Sequence, residues 1–279
     1  MSIGAARPIT IQLWLAELNN RGYAPATVRK AYQILSRIFD AAVESGLLTR
    51  TPCRGVRLPR VEGNEMRFLS PGEITELADV IDPRYKALVL AAAYTGARFG
   101  ELAALDLDHF EPLRRSIRIE RTLSDVKGIV QIGEPKTRAA VRAITLPTWL
   151  VDVMAQHLAT WPVSQNRHLF TSPEGGYLRV TNFRRRVWRP AVVESVGEPM
   201  RFHDLRHTHV ALLIEQGVHP AVVAARLGHT SVRTVFDVYG HLYEGLDRDA
   251  ADALASPWDG SSVVATWSRP GPSILATGL

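Results

Sequence analysis

Six of the nine histidines fall between His203 and His241, and the densest run is His203-Asp204-Leu205-Arg206-His207-Thr208-His209. On a helix, His203 and His207 stand four residues apart and share a face, a spacing that zinc ligands use. No glutamate lies between them in a His-Glu-x-x-His pattern, and Arg206 would set a fixed positive charge beside the metal, so the run reads against a zinc site. Its plain alternative is a helix start with one or two buried histidines and the rest solvated. The segment Thr95-Gly96-Ala97-Arg98-Phe99-Gly100-Glu101 lacks the Gly-Lys-Ser/Thr of a nucleotide loop and follows a helical pattern rather than a strand. Alone it reads as a C-cap glycine and a helix-to-helix turn. Of the 33 basic residues only four are lysines, Lys30, Lys86, Lys127 and Lys136. A lysine kept against such a bias matters, because lysine can deliver a proton and arginine essentially cannot.

These residues need elements to position them, and 279 residues suit two domains. Residues 1–60 carry nine Lys/Arg against Glu17, Asp40 and Glu44, a basic segment of the kind that binds a polyanion. Helical spacing over 10–20 and 25–45, with Pro25 and Gly46 as start and stop, makes this segment a small helical domain. Residues 52–67 mix Pro, Gly and charge without period and read as linker. Ser70-Pro71-Gly72-Glu73 is a capping box opening a helix to about Ile81. A second helix runs from Pro83 to near Gly96, and a short one follows at GELAAL. The stretches SIRIERTL, GIVQIGE and VRAITL turn to a β pattern and read as one small antiparallel sheet. Helical patterns resume at 147–159, 181–196, 203–216, 219–227 and 231–238, with a last helix at 243–254. The fold class is mainly α with a small antiparallel β-sheet (α+β). Two short helices around Gly228 also look like a helix-turn-helix.

The single cysteine, Cys53, excludes an internal disulfide, a cysteine zinc ribbon and a CxxC redox motif, and suggests a reducing compartment. No apolar run reaches the roughly 18 residues of a membrane span, and no signal peptide is legible. The expectation is a cytoplasmic, nucleoid-associated protein with no membrane partner.

Taken in order, TGARFGEL at 95–102, Lys136 in EPKTRAAVRAITL, HDLRH at 203–207, LGHTS at 227–231 and VYGHL at 238–242 resemble the tyrosine recombinase (phage integrase) family. The resemblance covers about residues 65–255. It implies a helical core-site DNA-binding domain at 1–60, a linker at 61–69, a catalytic domain at 70–255 and a tail at 256–279 that docks on a neighbouring protomer. The 1–60 segment is short for such a domain, and a truncated or decayed prophage integrase is one alternative. It assigns Arg98, Lys136, His203, Arg206, His229 and the nucleophile Tyr239 to catalysis, with Glu101 in support. Asp204 and His207 lie in the same matched segment and take a secondary place, and Tyr243 is the rival nucleophile.

The implied activity is cleavage and rejoining of DNA through a 3′-phosphotyrosyl link, with no cofactor, metal or ATP. The implied partners are double-stranded DNA, a homo-tetramer on that DNA and accessory DNA-bending proteins. Arg98, Arg206 and His229 would hold the phosphate oxygens as charge builds on them. His203 would act as general base or orienting donor and Lys136 as the acid for the leaving oxygen. Arg29, Lys30, Arg54 and Arg57, together with Arg50 and Arg60, are candidate backbone contacts, as are Arg184, Arg185 and Arg189 further on. Two rivals stand beside this reading. A type IB topoisomerase shares similar chemistry, and a non-catalytic helix-turn-helix regulator would use 219–241 alone but leave Arg98, Lys136 and Tyr239 unexplained.

Overall fold

A computed structural model describes residues 2–61, 66–126, 128–135, 137–161, 163 and 167–243. Lys136, the tail at 256–279 and all but the first residue of the helix expected at 243–254 lie outside the described residues. The chain divides into two compact units, Met1–Glu65 and Met66–Leu279.

In the first unit α1 (Pro8–Asn20) and α2 (Pro25–Glu44) each begin with a proline, whose fixed φ and missing N–H suit the first helical turn. Ile11 and Leu15 of α1 pack with Val28 and Phe39 of α2 and with Cys53. The chain after α2 is less free than an aperiodic stretch suggests. The Gln12 side chain exchanges two hydrogen bonds with the Arg57 backbone, at 2.9 and 3.2 Å, and the Tyr32 hydroxyl donates to the Cys53 carbonyl at 2.7 Å. Val56 and Leu58 add apolar contact. Such anchoring uses scattered single residues, so it leaves no periodic trace.

The second unit opens before α3 (Pro71–Val80). Arg67 pairs with Glu73 and Glu198, and the Leu69 N–H donates to the Thr208 hydroxyl. The Ser70/Glu73 capping box forms as the sequence indicates. Next comes α4 (Lys86–Thr95), apolar on nearly every side and buried from Ala87 to Ala93, as a helix without a polar face must be. It packs against α3, α6 and α9 and forms the centre of the unit. A short α5 (Phe99–Ala103) follows.

The β region differs from the single sheet expected. Two antiparallel sheets form: one in the order β1 (Phe110–Glu111), β2 (Ser116–Ile119), β5 (Arg142–Thr145), and a separate hairpin of β3 (Thr122–Val126) and β4 (Ile129–Gly133). The run SIRIERTL is broken at Glu120-Arg121, where the alternation of buried residues ends. Ile117 and Ile119 face the core from β2, and Leu123 restarts the pattern in β3.

Helix α6 (Thr148–Thr160) leads to α7 (Val180–Phe183), a π-helical turn at Arg184–Trp188 and α8 (Arg189–Val196). The wider π turn lets Phe183 and Trp188, five residues apart, both reach the core, which a regular helix would not allow. Then follow α9 (Asp204–Glu215), α10 (Pro220–Leu227) and α11 (Arg233–Tyr239).

Candidate active site

Arg98 is the N-cap of α5. Gly96, two residues earlier, ends α4 at φ 65°, and a Cβ there would lie 2.7 Å from the His209 ring and 2.8 Å from Leu227. Glycine is therefore required both for the left-handed turn and for the close approach of α9 and α10. The Arg98 backbone N–H and its Nη1 both donate to Glu101, at 2.9 and 2.8 Å. Glu101 is only 3% exposed. Its other side is held by Arg142 of β5, whose Nη2 donates to Oε2 at 3.0 Å. Burial opposes the Glu101 charge, but the Arg142 and Arg98 bonds outweigh it and keep the carboxyl below the usual range.

Arg206, near the start of α9, is buried and uses three of its five N–H groups on the protein. It donates to the Gly96 carbonyl at 2.6 Å, to the Leu227 carbonyl at 2.7 Å and to His229 Nε2 at 3.1 Å. It thereby ties the end of α4 to the end of α10. Burial, then the nearby Arg98, lower its pKa to about 9, so the guanidinium remains charged at pH 7. Arginine can only donate, so His229 Nε2 must accept and the neutral ring carries its proton on Nδ1. That Nδ1 is buried and has no partner among the described residues. Burial and the charges of Arg206, Arg98 and Arg142 push His229 down to about 4.

His229 follows Gly228, which ends α10 at φ 68°. A Cβ on Gly228 would come within 2.9 Å of the Ala139 carbonyl oxygen and 3.1 Å of Arg142 Nη1. The turn that delivers His229 is thus pressed against the chain entering β5.

His203 caps α9 and reaches solvent. Partial shielding of its ring comes first, then His207, Arg206 and Arg98, in lowering it to about 4. Tyr239, at the end of α11, is 3% exposed and packs in the cluster of Val210, Ile214, Val223, Leu227 and Val235. Its hydroxyl lies 2.7 Å from His207 Nδ1. Burial raises the phenol to about 12, against a lowering by Arg206. Tyr243 instead stacks near Phe236 in the turn at Gly240–Tyr243, its hydroxyl buried without a partner among the described residues.

Arg98, Glu101, Arg206 and His229 therefore meet, with His203 and Tyr239 alongside them through His207. Arg29, Lys30, Arg54 and Arg57 are exposed in the first unit, and Arg184 and Arg185 are exposed on the π turn. Arg142 escaped the sequence reading, hidden in a strand pattern whose other members are apolar or small. His207, which the sequence places beside Asp204 in a secondary role, shares a helix face with His203 and contacts the Tyr239 hydroxyl.

Residues 67–245 match the family model described as the phage integrase family. The chain belongs to the phage integrase family. The match spans every catalytic candidate from Arg98 to Tyr239. The chain is 30% identical over 252 residues to the ICEBs1 integrase of Bacillus subtilis, a match that covers 85% of this chain and 67% of that protein. Its fold is similar to the Tn1549 transposon integrase in complex with a circular intermediate DNA, with a TM-score of 0.76 at 19% identity over 91% of this chain and 87% of that one. It is similar also to a lambda integrase tetramer bound to a Holliday junction, with a TM-score of 0.59 at 17% identity over 81% and 62% of the two chains. The chain is a site-specific tyrosine recombinase.

Proposed function

We propose that the recombinase cuts and rejoins duplex DNA by attack of Tyr239 on a phosphodiester, leaving a 3′-phosphotyrosyl link and a free 5′-hydroxyl. The observation that carries this reading is the charge arrangement. Arg98, Arg142 and Arg206 surround His229, and Glu101 is the carboxylate that answers them. Three guanidiniums against one carboxylate leave a partly buried surplus of positive charge. An oxyanion is the natural guest there, and charge that builds on phosphate oxygens in the transition state is stabilised most.

Arg98, whose side chain is 43% exposed, is free to turn one edge of its guanidinium to a phosphate while the other stays on Glu101. Arg206 supplies a second cation from a fixed position. The Nδ1–H of His229 supplies a neutral donor whose burial would otherwise be unfavourable. Lys136 has the chemistry to protonate the leaving 5′-oxygen, and His203 to orient a phosphate oxygen or take a proton. The link keeps the energy of the broken bond, so a second 5′-hydroxyl can reverse the step without ATP or a metal. The exposed bases Arg29, Lys30, Arg54, Arg57, Arg184 and Arg185 would hold the DNA backbone and give affinity more than sequence choice. Exchange of two duplexes calls for four protomers, and the tetrameric assembly of the lambda integrase supports that stoichiometry here. Accessory DNA-bending proteins fit the same scheme.

The test is a nicked suicide duplex carrying a candidate attachment site, incubated with EDTA and resolved on a denaturing gel. A covalent protein–DNA band from the wild type and none from Tyr239→Phe is the expected outcome. A band from Tyr239→Phe, or tight binding without any band, would defeat the proposal.

A further inference from the structure

The side chain that touches the Tyr239 hydroxyl is His207. Its Nδ1 lies 2.7 Å from Oη, within reach of a direct proton transfer. His203 sits one turn earlier on α9, its ring 5.2 Å from that of His207 and edge-on to it, and it reaches solvent rather than the phenol. Both ends of the His207–Tyr239 contact are held firmly. The next residue on α9, Thr208, is fully buried, donates to the Asp204 carbonyl and accepts the Leu69 N–H. The Tyr239 ring is enclosed by Val210, Ile214 and Val235.

Taking Tyr239 as the nucleophile, as in the reading above, we infer that His207, and not His203, receives the phenol proton and holds the phenol oxygen for attack. As Oη bonds to phosphorus, the O–H bond breaks and its proton passes to Nδ1, giving an imidazolium. The bond from phosphorus to the 5′-oxygen breaks in the same displacement, and that oxygen takes a proton from the general acid. On rejoining, the incoming 5′-hydroxyl returns its proton to that general acid as its oxygen bonds to phosphorus, and it displaces Oη, which recovers its proton from His207.

The groups facing His207 suit this task. On α9 they are His203, Asp204 and Arg206; ahead of the helix is Arg201; from α11 comes Tyr239. Burial lowers its pKa first, Arg201 and Arg206 add to that, and Asp204 opposes them. The imidazole is thus neutral at pH 7 and able to accept. The phenol needs the help: with a pKa of about 12 it would be ionised unaided in only about one molecule in 10⁵ at pH 7.

The test uses the full chain and a duplex with a 5′-bridging phosphorothiolate at the cleaved position. The thiolate leaves without needing a proton, so adduct formation reports on the nucleophile alone. Rates are measured from pH 6 to 9 for the wild type, His207→Asn, His207→Ala, His203→Gln and Tyr239→Phe. The Asn amide can still bond to the phenol but cannot keep its proton. The expected result is a flat wild-type rate from pH 7 to 9. Both His207 variants should be slower by about 10²–10⁴-fold at pH 7 and gain about tenfold per pH unit, because hydroxide must then remove the proton. His203→Gln should keep a flat profile. A His207→Asn rate within about threefold of wild type, a slow rate with a flat profile, or the slope appearing in His203→Gln would overturn the inference while leaving Tyr239 as nucleophile. No adduct from the wild type, or an adduct from Tyr239→Phe, would remove both readings together.

Discussion

Glu101 and Arg142 meet across 41 residues of chain, their 3.0 Å ion pair joining α5 to β5 with both side chains almost wholly buried. A buried pair adds little over apolar packing, but removal of one partner strands the other, at a cost of about 3–5 kcal/mol. Glu101→Ala should therefore lose about that much stability in urea unfolding, since Arg98, Arg142 and Arg206 would then face each other without a counter-charge. The double variant Glu101→Met with Arg142→Met should recover much of the loss. A single-variant loss below about 1 kcal/mol would show that the pair is not holding the site.

Arg98 and Arg206 should separate function from stability. Arg98 is partly exposed and its Nη1 bond is to Glu101, whereas Arg206 ties together the Gly96 and Leu227 carbonyls. Arg98→Ala should keep its melting temperature within a few degrees and lose adduct formation by about 10²–10³-fold, the usual cost of one donor to a transition-state oxyanion. Arg206→Ala should lose both, because two buried carbonyls are left unpaired. Thermal unfolding run beside the adduct assay checks this, and equal melting temperatures for the two variants would refute it.

Much of this geometry was legible in the chain because local signals and the site coincide. Gly96 and Gly228 stand where helices α4 and α10 must stop, and the residues just beyond them, Arg98 and His229, are the ones delivered to the site. The pair His203 and Arg206 shows on a helix face by spacing alone. What did not show was long-range pairing. Arg142 is a strand residue that turns inward only because Glu101 and the Arg226 carbonyl await it, and neither is near it in sequence. The split into two sheets was hidden for the same reason, since the alternation of SIRIERTL says nothing of which partner each half will find. Residues 52–58 looked like linker because single side-chain bonds, and not a face, hold them to α1 and α2.

Gly228 offers a sharper test of how His229 is aimed. At φ 68°, with the Ala139 carbonyl oxygen 2.9 Å from where a Cβ would lie, alanine meets both backbone strain and a backbone clash. Gly228→Ala should cost about 1–3 kcal/mol and displace the turn that carries His229. Cleavage should fall further than binding to DNA, since the substitution leaves the exposed basic residues proposed as backbone contacts unchanged. Parallel gel-shift and adduct assays measure the two, and an equal fall in both would place Gly228 in overall folding only.

Acid should weaken the folded state through its histidines. His229 is lowered to about 4 and the buried His209 to about 3, both chiefly by loss of hydration, from an ordinary value of 6.5. Between pH 6.5 and those folded values the unfolded chain binds more protons than the folded one, so stability rises with pH there. Their contribution is complete above about pH 6.5 and is lost as pH falls towards 4. The melting temperature should thus climb from pH 4.5 to pH 7 and level off. Duplex DNA should blunt the dependence, because a phosphate beside His229 favours its cation and raises its pKa in the complex. Scanning calorimetry at several pH values, with and without duplex, reads both effects. A melting temperature that is flat over this range without DNA would mean that the histidines titrate alike in the folded and unfolded chain.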